Sequence, residues 1–208
     1  LAVTRPLMVL AAMFASLGKF MLVVTGTTLF HGLIVLPLLL WLLTRHSPIT
    51  FFLRARPALL TAFATSSSSA TLPVTLNCLE RDMGVPKDIA NFVAPLGAHM
   101  NMDGTALYEA GAALFVAQLC GIELSLLQQI VVCLTAMLVS VGAPGIPSAG
   151  MVTMVMVLQS VGLPVEAIAI LLPIDRVLDT VRTSVNVEGD IAGSLVVAHF
   201  ANDTATTP

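Results

Sequence analysis

The sequence predicts an all-α membrane protein: a helical bundle with two re-entrant helical hairpins and broken transmembrane helices. Three observations carry that prediction. First, 57% of the 208 residues are hydrophobic and 10% charged, with a mean hydropathy of +0.96, whereas a soluble domain carries roughly 25% charged residues. Second, apolar runs are interrupted near their middles by short polar or Gly/Pro tracts: TSSSSAT (Thr65–Thr71), NMDGT (Asn101–Thr105) and SVGAPGIPSAG (Ser140–Gly150). Third, the scarce charge is concentrated. Of nine Lys/Arg and twelve Asp/Glu residues, six fall within Ile174–Asp190. The net charge of −3 argues against a nucleic-acid partner. Cys78, Cys120 and Cys133 form no CxxC pair and read as small core residues.

In chain order, the apolar run Leu7–Leu17 is too short to cross a bilayer core, which needs about 20 residues. It reads as the tail of a preceding span. Phe20–Leu43 is long enough and its only ionisable group is His31, taken as a neutral, packed residue. Trp41 suits the membrane interface. Arg45, His46, Arg54 and Arg56 follow, and by the positive-inside rule their loop is expected in the cytoplasm.

Residues 57–79 hold two half-length apolar segments around the serine tip. Irregular backbone at membrane depth is tolerated only where it lines a cavity or is buried in protein, so a re-entrant hairpin is expected, with a flexible Ser-rich linker as the alternative. Glu80–Asp88 reads as a solvent-facing loop. Residues 90–119 form a span broken at NMDGT, where Gly104 weakens the helix and the break can bind an ion; a plain cap on the second half-helix is the alternative role for Asp103, and the two roles are compatible. Residues 126–161 repeat the hairpin pattern around Pro144 and Pro147, which cannot continue a helix. The last helix covers 165–200, and 203–208 is a polar tail.

At 100° per residue, Asp175, Asp179, Arg182, Asn186 and Asp190 fall within an arc of about 80° on that last helix. The rest of its circumference is largely apolar. Ionised groups cost several kcal/mol in hydrocarbon, so the stripe must face protein or a water-filled path. The alternative is a helix lying at the interface with its charges in water.

Four motifs in order, SSSSATLPVT (Ser66–Thr75), NMDGTALYEA (Asn101–Ala110), GAPGIPSAG (Gly142–Gly150) and DTVRTSVNVEGD (Asp179–Asp190), resemble the glutamate transporter family, the dicarboxylate/amino acid:cation symporters. The resemblance covers most of the chain from about Leu17. It implies an inverted repeat, a layout for which this same family supplies a known example. It also implies an elevator-type transport domain at 18–202, with residues 1–17 the end of a scaffold segment. It further implies multi-pass insertion in a plasma or inner membrane, and a homotrimer formed through the rest of the scaffold. The expected partners are the lipid bilayer and an acidic amino acid, with Na+ ions cotransported. No enzyme activity is expected.

The resemblance also assigns roles. Arg182 would read the side-chain carboxylate of glutamate or aspartate, since a guanidinium makes a bidentate fork. Asp175 would orient it, with Arg176 as further charge support. Asp179 would accept the ammonium, and Asn186 and Thr183 would add polar contacts. Ser67 and Ser68 in the first tip, Ile146 and Gly150 in the second, and Thr105 would enclose the substrate. Sodium would be held by Asp190 with Gly97, Asn101 and Asn186. A second ion would use Asp103 with Asn101. A third would use Ser140, Val141, Ala143, His99 and Met102. Glu109 would carry a proton, as glutamate does here in proton-coupled members; a surface-facing glutamate is the alternative.

The sequence also departs from the family pattern. Ser66 and Thr180 stand where an extra arginine is usual, Arg176 lies one turn from Thr180, and Glu188 is off the stripe with no evident partner. A C4-dicarboxylate or neutral amino acid carrier of the same fold stays open. An ion channel with re-entrant filters stays open too. A serine protease built on Ser66–Ser69 and His99 is disfavoured, because no G-x-S-x-G elbow is present.

Overall fold

A computed structural model describes the backbone of residues 4–205 and the side chains of 11–201. Among these residues there is no strand; the chain is helical throughout. Helix α1 (Thr4–Phe30) passes through a π-helical turn (His31–Val35) into α2 (Leu36–Thr44). Pro37 explains the turn. Its ring would clash with the carbonyl four residues back, and widening the helix there relieves the contact. Ala11–Thr44 is the one stretch among the described residues both long and apolar enough to cross a membrane. The Leu7–Leu17 run and the Phe20–Leu43 run are therefore a single rod, because Gly18 alone is too weak a breaker to end a helix.

Helix α3 (Pro48–Thr65) follows after three residues. Arg54 and Arg56, expected in a loop, lie on it, and the first arm of the predicted hairpin begins at Pro48 and not at Pro57. The chain turns at Ser66, whose φ of 52° is left-handed, and re-enters α4 (Ser68–Asn77), where the Ser67 hydroxyl accepts from the Ala70 N–H. A second π-helical turn (Cys78–Asp82) occupies part of the expected loop. Helices α5 (Lys87–Met100) and α6 (Asp103–Leu119) are separated by only Asn101 and Met102. A capping box between Ser125 and Gln128 starts α7 (Leu126–Ser140). A turn rich in Gly and Pro leads to α8 (Ala149–Ser160), and a short 3-10 turn (Val165–Ala167) opens into α9 (Ile168–Ala205). The described part of the polar tail continues this helix, and residues 206–208 lie outside the described residues.

Helix α9 is the spine. At 1.5 Å per residue its 38 residues extend about 57 Å. Its first half packs into one apolar core with α1, α6, α7 and α8, around Phe20, Tyr108, Val132, Met154 and Leu178. Its second half packs into another with α2 to α5, around Leu40, Phe51, Leu79, Val187 and Ile191. Alanines let the helices approach closely: Ala55, Ala58 and Ala62 on α3, and Ala90, Ala94 and Ala98 on α5, are all fully buried. The ionic stripe sits where the two cores meet. Much of the outer surface is apolar, with Leu22, Leu127, Leu138 and Val152 all more than two-thirds exposed. Cys78 is buried as expected. Cys120 and Cys133 are exposed, a correction to their reading as core residues.

Candidate functional site

The stripe on α9 is buried. Asp175, Asp179, Arg182, Thr183, Asn186 and Asp190 are each 2–4% exposed, which rules out a helix lying with its charges in water. Arg182 is the largest side chain among the fully buried ones. Its Nε donates to Asp179 Oδ1 (2.9 Å) and its Nη2 to Asp175 Oδ1 (3.1 Å), with Nη2 also 2.8 Å from Asp179 Oδ1. The guanidinium lies over the Tyr108 ring at 4.3 Å. Two carboxylates and one aromatic face thus fix the fork. Its remaining nitrogen, Nη1, is buried and has no hydrogen-bond partner. It lies beside Gly150, where a Cβ would stand 3.6 Å from it and 3.2 Å from Thr105 Cγ2.

Gly150 lines a small cavity together with Ser66, Ser68, Thr105, Asp179 and Asn186. The cavity is narrowed by the meeting of the two tips. Gly145 O accepts from Ser67 Oγ (2.7 Å) and from Ser69 N (3.1 Å), and Ser148 N donates to Asp179 Oδ2 (2.8 Å). About 10 Å³ remains inside, room for one water. Asn186 knits the floor. Its Oδ1 accepts from Gly104 N (2.7 Å), and its Nδ2 donates to Thr105 Oγ1 (3.1 Å) and approaches Met102 Sδ (3.3 Å). Ile146 stays largely exposed on the second tip, and Arg176, mostly exposed, reaches only 3.9 Å from Asp179 Oδ2.

The residues expected around the first cation are also brought together. Asn101 Nδ2 donates to Asn186 O (3.0 Å) and Asp190 Oδ1 (3.2 Å). A Cβ on Gly97 would stand 2.6 Å from Asp190 Oδ1. The break between α5 and α6 therefore faces the buried Asp190 carboxylate, with the Asn101 amide bridging it to the Asn186 carbonyl. Asp103 is held differently from expectation. Its Oδ2 is 3.1 Å from His31 Nε2, so His31 is a partly exposed partner of Asp103 and not merely a packed ring. Of the third set, Ser140 is buried and Val141 exposed, and the turn's hydrogen bonds are local: Ser140 Oγ to Met137 O and Ala143 N to Ser140 O, both 3.0 Å. His99 ends α5 and Met102 sits beneath Asn186. Gly145 is the part of this tip that meets α5, packing on the Ala98 carbonyl.

Glu109 is fully buried between α6 and α8, so the surface-facing alternative falls. Thr153 Oγ1 donates to its Oε1, and Oε2 has no partner. Glu188 is also buried, with Oε1 unpartnered, in an apolar crevice lined by Gly32, Leu33, Phe52 and Phe63. A buried polar group left unpaired costs about 1–3 kcal/mol, so Glu188→Leu is expected to raise the thermal midpoint of the full-length protein in detergent. A lowered midpoint would show that the carboxyl has a structural partner. Sequence reasoning assigned no site role to Tyr108, Gly145 or Ser148. Tyr108 lies inside the NMDGTALYEA motif, but a cation–π contact to a helix some 70 residues away has no local signature.

The buried ionic stripe, the paired tips and the broken helix facing a carboxylate thus come together along α9. The chain belongs to the sodium:dicarboxylate symporter family, whose profile matches residues 7–200. It is 49% identical over 191 residues to human excitatory amino acid transporter 2, covering 92% of this chain and 33% of that protein. It is 48% identical over 185 residues to an excitatory amino acid transporter of Caenorhabditis elegans, covering 89% and 37%. It is 51% identical over 184 residues to mouse excitatory amino acid transporter 3, covering 88% and 35%. The chain spans about a third of the length of these relatives. The relatives are transporters, so the chain belongs with a family of carriers and not of enzymes.

Proposed function

We propose that the full-length protein is a secondary active transporter that moves acidic amino acids together with sodium and a proton. One observation carries this reading: the buried, fixed Arg182 keeps one unpaired guanidinium nitrogen beside Gly150, a residue that lines the cavity between the two polar tips. A carboxylate is the group that satisfies such a donor best. Asp179 would accept the ammonium, and Asn186 and Thr105 would add further polar contacts; all three line the cavity. Sodium is cargo in this reading, taken by Asp190, Asn101, Asn186 and the Gly97 backbone. The sites at Asp103 and at Ser140–Ala143 follow the family pattern.

The α3–α4 and α7–α8 pairs act as re-entrant hairpins. A cavity of about 10 Å³ cannot hold an amino acid. Admission requires the Gly145 and Ser148 contacts to part, and the α7–α8 tip is the natural gate because Gly142 and Gly145 flank Pro144. We assign the multi-pass topology, the elevator movement and the homotrimer to the whole protein. Labelled aspartate uptake tests the reading. It should require sodium and be competed by glutamate but not by serine. Competition by serine or succinate alone would favour a neutral amino acid or dicarboxylate carrier instead.

Glu109→Gln tests the proton. A glutamine keeps the Thr153 hydroxyl bonded but cannot exchange a proton, so uptake should continue with a flattened dependence on external pH. An unaltered pH profile would remove Glu109 from coupling.

A further inference from the structure

Beyond the end of the ionic stripe, the junction of α2 and α3 forms a cavity of about 260 Å³ lined by Arg45, His46, Thr50, Arg54 and the apolar Phe51 and Leu195. No carboxylate lines it, and among the described residues neither arginine has an ion-pair partner. Arg45 is held in place by more than its charge. It caps α2 in a left-handed conformation (φ 60°), donates its N–H to Trp41 O (2.9 Å), and stacks its guanidinium 4.9 Å from the Trp41 ring. Such backbone is uncommon for a non-glycine residue. Helix α3 begins in the same place, and its N-cap Ser47 makes no side-chain bond to the first N–H groups, which are left for another acceptor.

The surroundings tell which anion fits. Thr50 and Arg54 lie one turn apart on α3 and face the cavity. Ile49 and Leu53, one turn apart on the adjoining face, are 74% and 65% exposed, and Leu42 across the junction is 53% exposed. Cations therefore sit directly beside bare apolar side chains, at the end of the one stretch among the described residues apolar and long enough to span. A free phosphate would use the cations and leave the apolar rim bare. An amphiphile uses both.

We propose that this cavity binds the headgroup of an anionic phospholipid. Its phosphate lies between Arg45, Arg54 and the first N–H groups of α3, and its acyl chains run along Leu42, Ile49 and Leu53. The inference does not depend on the transport reading, since none of these residues touches the stripe or the tips.

Trp41 provides the readout. The full-length protein is placed in mixed micelles with phosphatidylglycerol or phosphatidylcholine carrying brominated acyl chains, and the Trp41 component is taken as the difference from Trp41→Phe. Bromine quenches only nearby indole, and unbrominated lipid is the reference for each variant. Brominated phosphatidylglycerol should reach half-quenching at roughly tenfold lower mole fraction than brominated phosphatidylcholine. Arg54→Gln, at an exposed position where misfolding is not expected, should erase most of that preference, and so should high salt. Equal quenching by the two lipids, or an undiminished preference in both Arg54→Gln and Arg45→Gln, would overturn the proposal. Loss of the preference in inorganic phosphate at an ionic strength at which sodium chloride leaves it intact would also overturn it, assigning the cavity to free phosphate.

Discussion

Arg182→Lys in the full-length protein is expected to abolish uptake of labelled aspartate while the protein still folds. The guanidinium is fixed by Asp175, Asp179 and the Tyr108 face, and in the proposed reading its unpartnered Nη1 meets the substrate carboxylate. An ammonium can neutralise the two aspartates but is a point charge, unable to hold them and offer a second aligned donor at once. Hydrogen bonds to charged groups contribute about 1.5–3 kcal/mol each. Losing one of them lowers apparent affinity by roughly 10- to 150-fold, and losing a second multiplies that loss. Arg182→Ala is the harsher change. It leaves two aspartates buried without a counter-charge, and breaking such a cluster costs about 3–5 kcal/mol. The alanine variant should therefore lose both uptake and thermal stability, while lysine separates the two effects. Aspartate uptake unchanged in Arg182→Lys would sink the assigned role, whatever alanine does.

What could be read from the sequence, and what could not, divides along a physical line. The stripe was legible because five polar residues repeat with the helical period in a chain that otherwise avoids charge. The breaks at Ser66–Ser67, Asn101–Met102 and Gly142–Ser148 were legible because polar, Gly and Pro tracts cannot hide inside apolar runs. The start of α3 is hidden in the sequence because Arg54 and Arg56 resemble loop charges. Long basic side chains extend their charged heads from a helix into water, so basic residues do not by themselves break one. Pro57 likewise resembles a boundary but sits within α3. The pairings of His31 with Asp103, of Ser67 with Gly145 and of Tyr108 with Arg182 join segments 72 or more residues apart. Each needs the tertiary fold to exist before it can be seen. Glu188 is the opposite case: its oddity was visible in the pattern, and the fold explains only how it is tolerated, beside a glycine. A Cβ on Gly32 would come within 2.9 Å of its Oε2.

Gly104→Ala is expected to be the most damaging single methyl in the molecule. A Cβ at this position would stand 2.5 Å from the Arg182 carbonyl oxygen and 2.9 and 3.0 Å from its Cα and carbonyl carbon. These are backbone atoms of a buried helix and cannot rotate aside. Overpacking a core costs about 1–3 kcal/mol even where side chains can adjust, so a clash against rigid backbone belongs at or above the top of that range. The consequence goes beyond stability, because Gly104 N donates to Asn186 Oδ1 (2.7 Å) and the start of α6 also positions Asn101 and Thr105. Pushing α6 off α9 would disturb the substrate floor and the Asp190 cluster together. Sodium-dependent binding and substrate binding should therefore fall in the same variant, with a lowered melting temperature. Gly150→Ala offers a graded comparison. Its Cβ would meet the Arg182 guanidinium at 3.5 Å and Thr105 Cγ2 at 3.2 Å, so it should weaken substrate binding with little loss of stability. Gly26→Ala, with no described atom within 4 Å of its Cβ, should leave binding intact and raise helix stability by about 0.5–1 kcal/mol. Should Gly104→Ala melt and bind sodium like Gly26→Ala, the close apposition of α6 and α9 that underlies the whole site would be wrong.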